Sequence, residues 1–261
     1  MSDGLDVRAR YEAALRSIGA VAEHPMRRAI FATFVEQEPA DQQIWCFDQL
    51  VRGAIWGRTP DFDAMLACAD WLIRQRRADN YDLFAGLFEV ATKDNRDTIK
   101  FLLRDPPPHR TLGANAKLPQ VRLPIDRDVT LGERKSFARG NNKQLLERLL
   151  MDPSPLVFSQ LLGNPNITVA QVISAVARRP SVPELLDVVL DHPRWFSEAV
   201  VREAVVRNPF GRTGNALRLL PTLNIRVLRE IGNSADLHPQ VHAFAKMLVD
   251  LRERRTAPWK V

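Results

Sequence analysis

Cysteine is scarce in this chain, which contains only Cys46 and Cys68 among its 261 residues. Each lies in an apolar stretch with helical spacing, which favours two buried thiols over the disulfide framework of a secreted protein. No apolar run approaches the length of about 18 residues that indicates a membrane span. The N-terminus also lacks the basic segment and apolar core of a signal peptide. Together these absences predict a soluble cytoplasmic protein.

Catalytic motifs are also missing. The sequence has no G-x-G-x-x-G, no P-loop, no G-x-S-x-G and no H-x-E…C-x-x-C pattern. His238 and His242 have metal-ligand spacing on one helix face, but no glutamate follows the first histidine and no third ligand lies nearby. We therefore predict no cofactor, no metal site and no catalytic residue. The sequence favours a non-catalytic protein and leaves enzymatic activity open.

The first part of the chain, residues 1–104, shows no alternation of apolar and polar residues of the kind that strands require. Its apolar residues recur at helical spacing between short breakers, which predicts an N-terminal helical bundle of about six helices. Five prolines then interrupt residues 105–128 and exclude a helix or a central strand there. We predict a proline-rich crossing loop, extended and packed along a helical surface.

Helix-start signals recur in the second half of the chain. Thr130, Thr168 and Ser181 are each followed three residues later by Glu or Gln, the pattern of a capping box. Residues 140–153 realign with residues 180–193 at an offset of 40, and an Asn-Pro pair recurs 44 residues apart, at 164 and 208. A period near 40 built of short helices predicts an all-α fold whose residues 129–254 form an α-solenoid.

A family resemblance rests on residues 150–168, which read LMDPSPLVFSQLLGNPNIT. This segment resembles the DP…V…NP pattern of leucine-rich-repeat-variant and HEAT-like bacterial helical repeat proteins, and residues 191–209 form a second, looser copy. The resemblance covers roughly residues 130–250. It departs from the family at Phe158, where an arginine is usual, and at the irregular segment 210–215. The resemblance implies a binding or scaffolding surface and no shared catalytic residues.

Charge is distributed unevenly along the chain. Residues 1–103 carry 13 Lys and Arg against 16 Asp and Glu, a net charge of −3, whereas residues 104–261 carry 24 against 15, a net charge of +9. A basic half can attract nucleic acid, anionic lipid or an acidic protein, but scattered arginines are also typical of a solvated surface. The proline-rich loop and the residues just after it are basic. They are equally compatible with an anion-binding edge and with intramolecular packing against the acidic N-terminal half.

Tryptophan occurs beside basic residues near Trp195 and in a basic tail, residues 255–261. Such a pairing can stack on bases while the cations hold phosphates. For Trp195 a structural role between repeats is favoured over stacking on a ligand, whereas Trp259 is equally compatible with a binding role and with a frayed tail. The candidate anion- or partner-binding residues are Arg110, Lys117, Arg122, Arg134, Lys135, Trp195, Arg254, Arg255, Trp259 and Lys260.

These observations predict a non-catalytic protein-interaction or scaffold module, whose partner is another protein held in a groove between stacked helix pairs. The alternative is a nucleic-acid-binding protein. One form of this alternative is a HEAT-like DNA repair glycosylase, because some members of that class use a concave basic and aromatic surface.

Overall fold

The computed structural model of the chain describes residues 2–113, 118 and 121–256, with side chains from residue 7 to residue 254 within those ranges. The described residues form sixteen α-helices and one short 3-10 helix, and none of them lies in a strand. The all-α prediction is therefore confirmed. No described helix is long and apolar enough to cross a membrane.

Six helices occupy the first hundred residues, in agreement with the spacing of the apolar residues. They are α1 (Ser2–Gly19), α2 (His24–Val35), α3 (Ala40–Ile55), α4 (Thr59–Arg77), α5 (Tyr81–Lys93) and α6 (Asp97–Leu103). The described residues between α6 and the next helix contain no regular structure. This agrees with the predicted loop, in which the prolines disfavour both a helix and a central strand.

Ten helices follow the loop, and all but the last are short. They are α7 (Leu131–Arg139), α8 (Lys143–Leu149), α9 (Pro155–Leu162), α10 (Val169–Val176), α11 (Pro183–Asp191), α12 (Pro193–Ser197), α13 (Ala199–Val206), α14 (Thr213–Leu219), α15 (Ile225–Gly232) and α16 (Pro239–Thr256). The 3-10 helix (Leu220–Thr222) follows α14 directly.

Capping boxes begin two of these helices, as the sequence predicts. The Thr130 hydroxyl accepts the backbone N–H of Glu133 at 3.3 Å, and the Glu133 carboxylate accepts the backbone N–H of Thr130 at 2.9 Å. Thr168 begins α10 in the same way. The capping box predicted at Ser181 is wrong. Helix α11 begins later, at Pro183, because a proline at the first helical position lacks an N–H that would otherwise need a partner.

Contacts divide the chain into two compact units. The first unit combines Met1–Pro107 with Thr213–Val261, and the second unit is Pro108–Arg212. This division differs from the boundaries expected at 104, 128 and 254, because α14, α15 and α16 belong to the first unit. In that unit α14 packs against α4 and α6, and the Phe244 ring of α16 stacks on Phe101 of α6 at 4.9 Å.

An aromatic cluster occupies the core of the first unit. Phe31, Phe47 and Trp71 come from α2, α3 and α4, and their ring centroids lie 6.1 to 6.4 Å apart. Cys46 and Cys68 are fully buried, and both are free thiols. Burial raises the pKa of the Cys46 thiol to about 12, with a further contribution from the nearby Glu38 carboxylate, and burial also raises the pKa of the Cys68 thiol well above its usual range.

We expect both thiols to be inert in the folded protein, because only the thiolate attacks a disulfide reagent and both thiolates are disfavoured and enclosed. Their reaction with Ellman's reagent near neutral pH should be at least about a hundredfold slower than in protein unfolded by guanidinium, where two thiols should react. Release of one or two equivalents of thionitrobenzoate from folded protein within seconds would contradict this prediction.

In the second unit, Asn164 ties the end of one helix to the end of another. Its side-chain amide donates to the carbonyl oxygens of Ala138 and Gly140 at 2.8 and 2.7 Å, while its side-chain oxygen accepts the backbone N–H of Asn166 at 2.9 Å. The end of α7 thereby gains partners for carbonyl groups that a helix leaves unsatisfied. Asn164 is 3 % exposed, so these bonds are shielded from water.

Asn208 repeats this arrangement 44 residues later. Its amide donates to the carbonyl oxygens of Val176 and Arg178 at 2.6 and 3.1 Å, and its oxygen accepts the backbone N–H of Phe210 at 3.0 Å. The two asparagines therefore serve α7 and α10 in equivalent ways. The helices they bind to correspond as well, since α7 packs on α9 and α10 packs on α13.

Candidate interaction site

An apolar groove of about 380 Å³ runs between α10 and α13 of the second unit. Val200, the second residue of α13, is 49 % exposed at this groove, and Ile173 of α10 faces it from the opposite wall. Exposed apolar surface of this kind marks an interaction site more often than a single exposed side chain does. The groove is lined by Ile173, Ala177, Arg179, Val200, Glu203, Ala204, Arg207 and Asn208.

Hydrogen bonds join the two walls of the groove at one end. Asn208, two residues beyond the end of α13, donates to carbonyl oxygens at the end of α10. At the other end of α10, Thr168 and Gln171 form the capping box that defines where the helix begins. The bonds of Asn208 thus connect the two walls where α10 and α13 end, and the capping box defines where the α10 wall begins.

One end of the groove is polar. The Arg179 guanidinium donates to the carbonyl oxygen of Arg207 at 2.8 Å, and the Arg207 guanidinium pairs with Glu203 at 2.8 Å. Helix α10 contains no charged residue. A bound segment would therefore meet aliphatic side chains along the groove and arginine side chains at its end. The burial of apolar area would contribute most of the binding free energy, and the arginines would fix the direction of the segment.

The pair of helices α7 and α9 presents a related but less apolar surface. Leu156 precedes Val200 by 44 residues, is likewise the second residue of its helix, and is 57 % exposed. Lys135, however, stands 38 residues before Ile173, the same offset that separates the capping threonines Thr130 and Thr168. The α7–α9 face is consequently less apolar than the α10–α13 groove.

Several predicted candidates belong to the proline-rich loop and its exit. Arg122 is exposed, and it lines an open cavity of about 1060 Å³ together with the half-buried Arg134. Arg134 is committed to an ion pair with the buried Asp152 at 2.6 Å. Arg110 is exposed and its backbone N–H donates to the carbonyl oxygen of Pro209 at 2.9 Å, while Lys135 is half-buried on α7. The cavity thus brings together two of the predicted residues.

Trp195 is not exposed at the surface of the second unit. It is fully buried, and its indole N–H donates to the carbonyl oxygen of Leu162 at 2.8 Å while Arg194 lies over its ring. Trp195 is therefore excluded as a candidate for stacking on a ligand, because its ring is buried. This hydrogen bond joins α12 to the end of α9, so the side chain has a structural role.

The remaining candidates lie near the C-terminus and in the loop. Arg254 is an exposed residue of α16 and so lies in the first unit, unlike the loop residues. Arg255 lies in the same helix, but its side chain is outside the described part of the chain. Lys117, Trp259 and Lys260 also lie outside the described residues.

Sequence reasoning missed the groove residues Val200 and Ala204. Helical spacing places Ile173 in the apolar stripe of its helix, but spacing alone does not tell which members of a wide stripe a neighbouring helix covers. The available signal was the alignment of Val200 with Leu156, two aliphatic residues at the second position of corresponding helices.

Comparison of the chain with family models, with curated proteins and with solved structures finds no match. Among the described residues, no group of three or more His, Cys, Asp or Glu side chains is placed to hold a metal ion.

Proposed function

We propose that the second unit is a protein-interaction module, built from two HEAT-like repeats, whose α10–α13 groove holds an apolar segment of a partner protein. The repeat assignment is supported by three equivalences. Capped helices α7 and α10 begin the two copies, helices α8 and α11 continue them at an offset of 40 residues, and buried asparagines close them. Such a repeat buries its apolar face against its neighbours and leaves a groove for ligands.

The observation that carries the proposal is the half-exposed Val200, which lies in a groove between two helices. The buried Asn208 joins these helices by hydrogen bonds. Large aliphatic side chains are costly to leave in water, and here the exposed side chain belongs to a concave apolar surface. A protein segment that inserts one or two apolar side chains would bury this surface.

The nucleic-acid alternative receives less support from the contacts of the second unit. Arg134 is paired with Asp152 and Arg127 with Glu133, so these cations are already partly neutralised. Polyanion binding depends on cations that can replace condensed counterions. The buried Trp195 removes the aromatic platform that single-stranded nucleic acid would need.

The proposal predicts that Val200→Glu abolishes partner capture, because a buried, unpaired carboxylate would oppose binding. We expect partners retained by the immobilised wild-type chain to be lost, or their affinity to fall by at least about tenfold, as for a residue at an interface centre. The measurement is a pull-down from lysate with mass spectrometry, followed by titration with each purified partner.

Met26→Glu is the matched control, since Met26 is similarly exposed but lies in the first unit. It should retain the same partners. Binding of those partners should change little between low and physiological salt, whereas nucleic acid would be released steeply. Partners that survive Val200→Glu, or that disappear after nuclease treatment, would contradict the proposal.

A further inference from the structure

A second cleft, in the first unit, has features of a small-molecule site. It has a volume of about 380 Å³ and lies between α1, α3 and the start of α4. Helix α1 contributes Tyr11 and Leu15, which share one face because they are four residues apart, and α3 contributes Trp45 and Gln49 at the same spacing. A volume of this size falls in the usual range of sites for small organic ligands.

The base of this cleft is a buried acidic group with fixed partners. One oxygen of the Asp61 carboxylate accepts hydrogen bonds from the Tyr11 hydroxyl at 2.9 Å and from the Arg58 guanidinium at 3.0 Å. The carboxylate packs directly over Gly53, where an added Cβ atom would lie 2.3 Å from Asp61 Cγ. Glycine at this position therefore allows Asp61 to lie beneath the cleft and to orient both donors.

Arg58, Gln49 and Trp45 each bring hydrogen-bond donors to the lining of the cleft. Asp61 engages one terminal nitrogen of Arg58, whose side chain remains 47 % exposed. Neither Gln49 nor Trp45 makes a side-chain hydrogen bond with any residue that the structure describes. Burial raises the pKa of Tyr11, so its hydroxyl keeps its proton and remains the donor to Asp61. Glu12 at the rim pairs with Arg8 at 3.2 Å, and Asp61 pairs with Arg58, so both carboxylates of the cleft have a cationic partner.

We propose that this cleft binds a small planar organic acid, whose ring packs against Trp45 and Leu15 and whose anionic group accepts hydrogen bonds from Arg58 and Gln49. The half-buried Trp45 indole offers the planar ring an apolar face, and its ring already meets the Tyr11 ring edge-on at 5.4 Å. The guanidinium of Arg58 is oriented by Asp61, which reduces the cost of ordering it when an anion binds. This site lies in the first unit and is independent of the groove proposed for a partner protein.

Three probes of one shape and different charge test the proposal: benzoate, benzamide and benzamidinium. They are titrated into the full-length protein while the indole N–H resonance of Trp45, assigned with a Trp45→Phe variant, is followed by NMR. Benzoate should shift this resonance saturably, benzamide should bind more weakly, and benzamidinium should not bind. Replacing Arg58 by Gln should weaken benzoate binding by about tenfold, the usual effect of losing a charged hydrogen-bond donor.

Arg226→Gln is the control variant, because Arg226 also lies in the first unit in a local ion pair, with Glu230, but outside the cleft. It should bind benzoate as the wild type does. Each variant is used only where its circular dichroism spectrum and cooperative melting match the wild type. If Arg58→Gln fails to fold, Gln49→Leu serves instead, with an expected loss of benzoate affinity. The proposal would be overturned if benzoate and benzamidinium bound equally well. It would also be overturned if benzoate left the Trp45 indole resonance unchanged.

Discussion

Leu186→Ala is expected to lower the free energy of unfolding of the second unit by about 2–5 kcal/mol. Leu186 lies in α11 and is 3 % exposed, so its removal leaves a cavity as well as losing transfer free energy. One of its methyl groups lies only 3.0 Å from where a Cβ atom at Gly211 would be, which shows how closely the surroundings pack. Leu146 of α8, 40 residues earlier, is equally buried, and Leu146→Ala should have an effect of the same size.

Urea unfolding followed by circular dichroism measures both variants. Leu156→Ala is the matched control, since Leu156 is exposed in the same unit and its truncation should change stability by no more than about 0.5 kcal/mol. If Leu146→Ala and Leu186→Ala were both as mild as the control, the alignment of the two repeats would be wrong.

Local signals in the sequence predicted the helices well because they depend on neighbouring residues. The threonine–glutamate pair at 130 and 133 defines the start of α7 whatever the rest of the chain does. The Ser181 signal failed because two helix-start signals overlap, and the proline at 183 determined where α11 begins.

The division into units was less accessible, because it depends on contacts between residues far apart in the chain. Arg252 of α16 donates to the carbonyl oxygen of Ile55 at 2.7 Å, a contact across 197 residues that no periodicity indicates. A count of charged residues likewise cannot show which of them pair with each other in the fold. It identified Arg134 as a candidate for anion binding, whereas its pairing with the buried Asp152 follows only from the fold.

Asp70→Ala is expected to destabilise the first unit by about 3–5 kcal/mol, the usual cost of removing one partner from a buried charged group. The Asp70 carboxylate is 2 % exposed, and it contacts His24 at 3.0 Å, Arg28 at 3.1 Å and Arg74 at 2.7 Å. Asp63→Ala is the matched control, because Asp63 pairs with Arg27 at 2.8 Å in a partly exposed position. Its loss should cost no more than about 1 kcal/mol.

The same carboxylate should make stability depend on pH in the acidic range. Burial alone would raise the pKa of Asp70, but the hydrogen bond with His24 and the charges of Arg74 and Arg28 together lower it. A carboxylate whose pKa is lower in the folded than in the unfolded chain stabilises the fold above its unfolded pKa, and this contribution disappears as pH falls through the folded pKa. Urea midpoints measured from about pH 6 down to about pH 3 should therefore fall less for Asp70→Ala than for the wild type. Parallel curves for the two proteins would contradict this prediction, because they would show that the pKa of Asp70 is the same in the folded and the unfolded chain.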